Sequence, residues 1–414
     1  MHSTPLLTND ASILGLLAIL LGLVFYTAHS KAPGWQKFYS VVPAVLLCYF
    51  LPSLLNTFGV INGEDSSLYY VASRFLLPTC LVLLTLSVDL KAISGLGKKA
   101  VIMFFTGTIG IVIGGPTALL IVATISPEVL SVEGPEAVWR GLTTVAGSWI
   151  GGGANQAAMK EIYGAGDKIF SAMITVDVIV ANLWMAVLLI MAAKAKQIDA
   201  KTGADTSAID RLQKRVEQFQ AEHSRIPVLS DLMFILAVGF GVTGFAHIFA
   251  DIITPFMEVN YPDLDTLSFH SKFFWMIVFA TSVGIALSFT RLRKLEGVGA
   301  SKVGSAMLYI LIASIGMKMD VTMILDTPIY FIIGAIWMII HASLMLFVAK
   351  LIKAPLFYMA VGSQANVGGA ASAPVVASAF HPSLAPVGVL LAVLGYTLGT
   401  YMAWLCGQIL QAIG

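Results

Sequence analysis

Two glycine-rich polar stretches interrupt apolar surroundings, one in each half of the chain, and they restrict its possible folds more than any other feature. The first is Gly147-Ser148-Trp149-Ile150-Gly151-Gly152-Gly153-Ala154-Asn155-Gln156; the second is Gly362-Ser363-Gln364-Ala365-Asn366-Val367-Gly368-Gly369-Ala370-Ala371-Ser372. In hydrocarbon, backbone that leaves the helix exposes unpaired N–H and C=O groups. Such stretches therefore persist only where protein encloses them or they line a cavity. Matched interruptions in two halves of a membrane chain are the sequence pattern of a transporter's midplane binding site.

The surroundings are those of a membrane protein. Only 11% of residues are charged and 57% are hydrophobic, with a mean hydropathy of +0.86, against roughly 25% charged in a soluble domain. A net charge of +1 excludes the basic face that nucleic-acid binding needs. Cys48, Cys80 and Cys406 lie far apart in apolar runs, fit no metal or redox spacing, and read as small buried residues. No Lys or Arg precedes the first apolar run, while Lys31 and Lys37 follow it. That pattern predicts a retained first span with its N-terminus outside rather than a signal peptide.

Apolar runs near the ~20 residues needed to cross occupy 11–29, 41–58, 69–88, 100–124, 169–193, 231–257, 271–289, 301–320, 328–349 and 384–410. The expectation is an all-α integral membrane protein of about ten transmembrane helices plus two glycine-broken segments, 138–168 and 355–383. Loop charge chooses between further crossings and re-entrant hairpins for these two. With hairpins and an outside N-terminus, 18 of the 24 Lys and Arg residues fall inside, among them Lys98, Lys99, Lys194, Arg291, Lys350 and Lys353. The acidic stretches Glu64-Asp65, Glu128 to Glu136 and Glu258 to Asp265 then fall outside. Twelve full crossings separate the charges less well, so the positive-inside rule favours hairpins.

Ten crossings give five per half, and two related halves with an odd number of spans must lie upside down relative to each other. Leu84 to Leu90 parallels Ile312 to Asp320, and in each half a long span, a glycine break and a closing span follow. The predicted organisation is a first inverted repeat over 1–193, a cytoplasmic linker over 194–230, and a second repeat over 231–414. In the linker, Ile209, Leu212, Val216 and Phe219 recur at helical spacing among charges. This is the pattern of a short amphipathic helix on the membrane surface or against the bundle.

The chemistry concentrates at the breaks. Half-helix N-termini suit carboxylates, and the carbonyl ends suit Na⁺. Ser148, Gly151, Gly152, Gly153, Asn155 and Gln156 from the first break, and Ser363, Gln364, Asn366, Gly368, Gly369 and Ser372 from the second, are the candidate solute and ion ligands. Na⁺ is expected near Asn155, Gln156 and Asn366. Close helix packing explains the small residues alone, but not three polar amides beside glycines. Asp177 stands about nine residues into its span, about 12 Å along the axis at ~1.5 Å per residue, with Asn182 little over a turn beyond. An intramembrane carboxylate is costly and marks a functional site by default; it can carry a proton or pair with a cation. Arg74 and Arg140, near outer ends, are read as snorkelling, and His247 and His341 as packing residues. Lys318 and Asp320 mark a helix end. No nucleotide loop, nucleophile triad or HExxH helix is present, so neither an enzyme nor an ATP-driven pump is indicated.

GSWIGGGANQAAM (147–159) and GSQANVGGAASAPVVASAF (362–380) resemble the YjcL-like membrane family, a bacterial and plant group described as a domain of unknown function, over nearly the whole chain. The order of span, broken segment and closing span, repeated twice, resembles more broadly the superfamily of bile-acid/sodium, glutamate/sodium and 2-hydroxycarboxylate symporters and cation/proton antiporters. That resemblance implies a core domain carrying both breaks, moving past a scaffold domain within a homodimer, with cation coupling where the breaks cross. The antiporters place an acidic or Asn-Asp pair on the span after the first break; here Val176-Asp177 keeps one acid without its partner. The symporters rely on amides and hydroxyls at the breaks, which are abundant here. The expected function is Na⁺- or H⁺-coupled uptake of a small polar or anionic organic solute across a bacterial inner membrane, without another cofactor. The alternative is a monovalent cation/proton antiporter using Asp177; a channel or structural membrane protein fits matched breaks less well.

Overall fold

The computed structural model describes residues 5–39, 42, 44–63, 65–87, 97–204, 209, 226–267, 269–318, 328–381 and 384–414. Among them the chain is helical apart from turns and one isolated bridge between Leu7 and Ile61. In chain order the α-helices of eight or more residues are α1 (Asp10–Ala28), α2 (Ala44–Thr57), α3 (Leu68–Leu86, with a π turn at Ala72–Leu76), α4 (Lys98–Ala123), α5 (Val138–Tyr163) and α6 (Asp167–Ala193). There follow a short α7 (Ala195–Thr202), then α8 (Leu229–Asn260), α9 (Lys272–Ser288) and α10 (Ala300–Gly316). The last four are α11 (Pro328–Leu351), α12 (Leu356–Val367), α13 (Gly369–Phe380) and α14 (Ala385–Ile413).

Each of the ten apolar runs contains a helix, and among the described residues seven helices are by themselves long and apolar enough to cross a membrane: α1, α3, α4, α6, α8, α11 and most of α14. α2, α9 and α10 have 14, 17 and 17 residues, and at ~1.5 Å per residue they fall short of a hydrocarbon core of ~30 Å. α9 stops because the chain bends by 94° into the 3-10 turn Arg291–Val298. The linker helix expected on Leu212, Val216 and Phe219, and the ends of the parallel stretches at Val88 to Leu90 and Asp320, lie outside the described residues.

Both glycine breaks are hairpins. At Gly152, φ is 75° and ψ −173°, a region that only glycine visits readily, and the chain there reverses. A Cβ on Gly147 would lie 2.6 Å from the Asn155 carbonyl oxygen, so the two arms of α5 touch backbone to backbone. At the base the rings of Trp139 and Tyr163 are 6.0 Å apart; in a straight helix their backbones would be separated by about 36 Å. Gly369, at φ 57°, turns α12 into α13, whose outer ends meet through Phe357 and Phe380 at 5.3 Å.

The hairpins enter from opposite ends of α4. Near its start, Lys99 Nζ donates to the Lys353 carbonyl at 2.8 Å, beside the base of the second hairpin. Past its far end, the turn Pro127–Leu130 packs on the first. The tips meet: a Cβ on Gly369 would stand 3.9 Å from the Gly152 Cα. Two packing groups surround them. α1–α3 pack with α8–α10, and α4–α6 pack with α11–α14, while α14 and the first hairpin bridge to α3 and α9. Of the linker, α7 docks on the second hairpin, where the Leu356 N–H donates to Asp199 Oδ1 at 2.8 Å.

This geometry ranks three glycine substitutions by thermal unfolding in detergent. Gly147→Ala forces the hairpin arms apart and is expected to be the most damaging. Gly152→Ala places a side chain in a strained backbone region and is expected to cost about 1–3 kcal/mol. Gly22→Ala on α1, where a Cβ meets nothing within 4 Å, is expected to be neutral or slightly stabilising.

Candidate functional site

Where the hairpin tips meet, they line a cavity of about 330 Å³ together with α2, α6, α10 and α14. The volume lies within the range of small-molecule sites. Asp177 contributes its carboxylate from α6 and is 6% exposed. Trp149 Nε1 donates to Oδ1 at 2.6 Å, and Gln156 Nε2 donates to Oδ2 at 3.0 Å. Ser148 is a third hydrogen-bonding partner. Ser148 and Trp149 precede the turn and Gln156 follows it, so the reversal at Gly152 folds both arms of one hairpin around one carboxylate. Gln156 in turn accepts from the Tyr49 hydroxyl on α2 at 3.4 Å.

The second hairpin adds Gln364, which is 1% exposed. Its Nε2 donates to Ser372 Oγ across the turn at 2.9 Å, while its Oε1 is buried without a donor. Gly152, Gly153, Gly368 and Gly369 form the cavity wall at the tips, and Asn182 lines it with its amide turned back to the Val178 carbonyl at 2.7 Å. Asp177 is the sole charged side chain among the lining residues.

Four of the expected ligands stand elsewhere. Asn155 Nδ2 donates to the Gly151 carbonyl at 3.0 Å, and its Oδ1 accepts from Thr400 on α14 at 2.7 Å. Asn366 Nδ2 donates to the Gly362 and Phe104 carbonyls at 2.9 and 3.0 Å, and its Oδ1 accepts from Thr108 on α4 at 2.8 Å. Each asparagine thus satisfies a carbonyl four residues back and locks its hairpin to a neighbouring helix. Their side-chain oxygens are already engaged, and the Na⁺ expected near Asn155, Gln156 and Asn366 keeps only Gln156 on the cavity wall. Ser363 is held by Trp184 Nε1 at 2.8 Å and His341 Nε2 at 2.7 Å. Gly151 packs on α14, where a Cβ on Gly399 would lie 2.7 Å from its Cα.

The remaining polar groups resolve as structural. His341 Nδ1 bonds the Gly107 carbonyl at 3.1 Å, and a carbonyl only accepts. Nε2 is therefore the acceptor, and the Ser363 hydroxyl donates to it. His247 Nε2 bonds the Arg74 carbonyl at 2.9 Å, as a packing residue. Arg74 does not snorkel: it pairs with Glu161 at 2.7 Å, which the Tyr69 hydroxyl also bonds, and its guanidinium lies 4.6 Å above the Phe273 ring. Arg140 donates to the Tyr163 carbonyl. The buried Lys160 pairs with Asp167 at 2.8 Å. Sequence reasoning missed Tyr49, Tyr309, Tyr396 and Ser305 on the cavity wall. The one signal for any of them was that Ser305 and Tyr309, four apart, share a face of α10.

Asn155→Ala and Asn366→Ala each remove a buried amide and the hydrogen bonds by which it ties its hairpin to a neighbouring helix. Each is expected to lower stability by about 1–3 kcal/mol, whereas Asn182→Ala loses one local bond and costs less; unfolding midpoints separate them.

A family model described as a protein of unknown function, DUF819, matches residues 15–413. The chain is also similar to the uncharacterized membrane protein YjcL of Bacillus subtilis (strain 168), with 23% identity over 385 residues that cover 90% of this chain and 91% of that relative. The match and the run of apolar helices agree on a multi-pass membrane protein. Since the family model spans nearly the whole chain, including both hairpins and Asp177, the chain belongs to the DUF819 family.

Proposed function

We propose that this protein is a cation-coupled secondary transporter that moves a small solute by alternating access around the hairpin tips, with Asp177 as the cation-carrying group. The observation that carries this reading is a single buried carboxylate, held by three donors of one hairpin, in a cavity that both hairpin tips line. Unwound tips inserted from opposite sides give a site that either side can reach when one packing group moves past the other. A carboxylate in that position is costly unless it serves a transported cation or proton.

The packing supports inverted repeats and a core moving past a scaffold. α1 on α2 corresponds to α8 on α9, α2 on α10 to α9 on α3, and α1 on α10 to α8 on α3. Around the hairpins, α4 on α14 corresponds to α11 on α6, and α5 on α6 to α13 on α14. This arrangement favours the broader symporter and antiporter superfamily as the source of the fold.

Two senses of coupling are consistent with one carboxylate. In symport, Asp177 holds Na⁺ or H⁺ while Ser148, Gln364, Ser372 and the tyrosines take the solute. In exchange, cation and proton occupy Asp177 in turn, a reading favoured by the absence of any other charge on the described cavity wall. Asp177→Asn in proteoliposomes tests the proposal. Coupled flux is expected to fall to background in either case. A symporter keeps downhill solute movement, whereas an exchanger loses every flux. Coupled transport that persists at wild-type rate in this variant overturns the role given to Asp177.

A further inference from the structure

We propose that the solute is a small organic ammonium, its N–H groups held by the Asp177 carboxylate and Gln364 Oε1 and its carbon skeleton lying against Tyr49, Tyr309 and Tyr396. This rests on the transporter reading and names the chemistry of its load. Three observations carry it. First, among the described residues the wall of the cavity bears one charge, and that charge is negative. Of the cations in the first hairpin, Lys160 pairs with Asp167 and Arg140 donates to the Tyr163 carbonyl, while the Arg74 that meets the hairpin pairs with Glu161. Of the polar or anionic solutes expected from sequence, an anion would sit beside a buried carboxylate with no cation on the described wall to offset it, which a low-dielectric site does not tolerate.

Second, the unmet hydrogen-bonding demand of the cavity is for a donor. Trp149, Gln156 and Ser148 all bond Asp177, so the first hairpin spends its donors within the protein. Gln364 Oε1, on the opposite hairpin, is a buried acceptor with nothing bound to it. Leaving such an acceptor empty costs free energy. A ligand that donates at once to Gln364 on the second hairpin and to Asp177 on α6 satisfies the one and neutralises the other. A primary or secondary ammonium has the two or three N–H groups this needs; a quaternary ammonium has none.

Third, the space is too large and too aromatic for a bare ion. About 330 Å³ accommodates several carbon atoms, and no group of three His, Cys, Asp or Glu side chains that could hold a metal occurs among the described residues. Three tyrosines line the wall from α2, α10 and α14, and ring faces attract organic cations. An ammonium seated on Asp177 displaces any other cation from it, so the load and the coupling ion exchange on one group.

Thermal unfolding of the purified full chain, with ethylamine, ethanolamine and benzylamine at millimolar concentration, tests this against their alcohol counterparts and against acetate and glycolate. At least one amine is expected to raise the midpoint in a saturable manner, while its neutral counterpart and both acids do not. Asp177→Asn is expected to weaken that amine roughly tenfold or more, the scale of one charge-assisted hydrogen bond. Gln364→Leu, which leaves the Asp177 donors in place, is expected to weaken it several-fold and keeps the test decisive if Asp177→Asn does not fold. Stabilisation by the acids, stabilisation by no amine, or unchanged amine affinity in Gln364→Leu each overturns the inference. An amine that binds as described but fails to cross proteoliposome membranes by either symport or exchange leaves the ammonium site intact and overturns the transporter reading instead.

Discussion

A carboxylate in the middle of an apolar bundle is stable only if the protein supplies, from within, the hydrogen bonds that water would have given it. Asp177 receives them from Trp149, Gln156 and Ser148, and no straight helix could present all three. On a helix, residues 149 and 156 lie about 10 Å apart along the axis. The reversal at Gly152 removes that distance, at the cost of a backbone conformation closed to other residues. The first glycine break and the buried acid are therefore one device: the turn exists in a place where a charge needs it, and the charge is tolerable because of the turn.

The second hairpin has the same architecture without the acid. Asn155 and Asn366 occupy matching positions, each bonding the carbonyl four residues back and each accepting from a threonine of a neighbouring helix. The difference lies in the glutamines. Gln156 has both ends engaged, with Asp177 and Tyr49, whereas Gln364 has its carbonyl oxygen free. One hairpin thus holds a charge and the other holds an unmet acceptor, and the two face each other across a space of molecular size. In the proposed function this asymmetry is what a ligand reads, since it can answer the acceptor and the charge together.

Much of this was legible in the sequence, because the constraint that hydrocarbon places on backbone is severe. Glycines clustered among amides in an apolar run admit few structures, and the distribution of Lys and Arg already favoured hairpins over crossings. Asp177 was legible for the same reason, as a charge in a span. What the sequence concealed was the direction of each amide. Asn155, Gln156, Gln364 and Asn366 are the same chemical type, and only the fold shows that the asparagines turn to structure and the glutamines to the cavity. The tyrosines were hidden differently. Tyr49, Tyr309 and Tyr396 sit in helices far apart in the chain, and each reads alone as an ordinary apolar-run aromatic.

The way the hairpins are fastened separates what is fixed from what is free. The base of the first is tied by Arg74, Tyr69 and Glu161 to α3, which belongs to the other packing group. The base of the second is capped by Asp199 of the linker helix, whose carboxyl is pushed above its ordinary range by burial while the Leu356 N–H opposes that shift. One attachment therefore crosses between the two packing groups and the other connects a hairpin to the segment joining the two halves. Any movement of one group past the other must break or carry the Arg74–Glu161 pair, because its partners lie on opposite sides of the boundary, while the Asp199 cap can travel with its hairpin. Among the described residues the tips carry no comparable bond to each other. Gly152 and Gly369 approach beside the cavity that both tips line. Under the proposed function, a ligand that bridges the two hairpins is what makes the motion depend on occupancy.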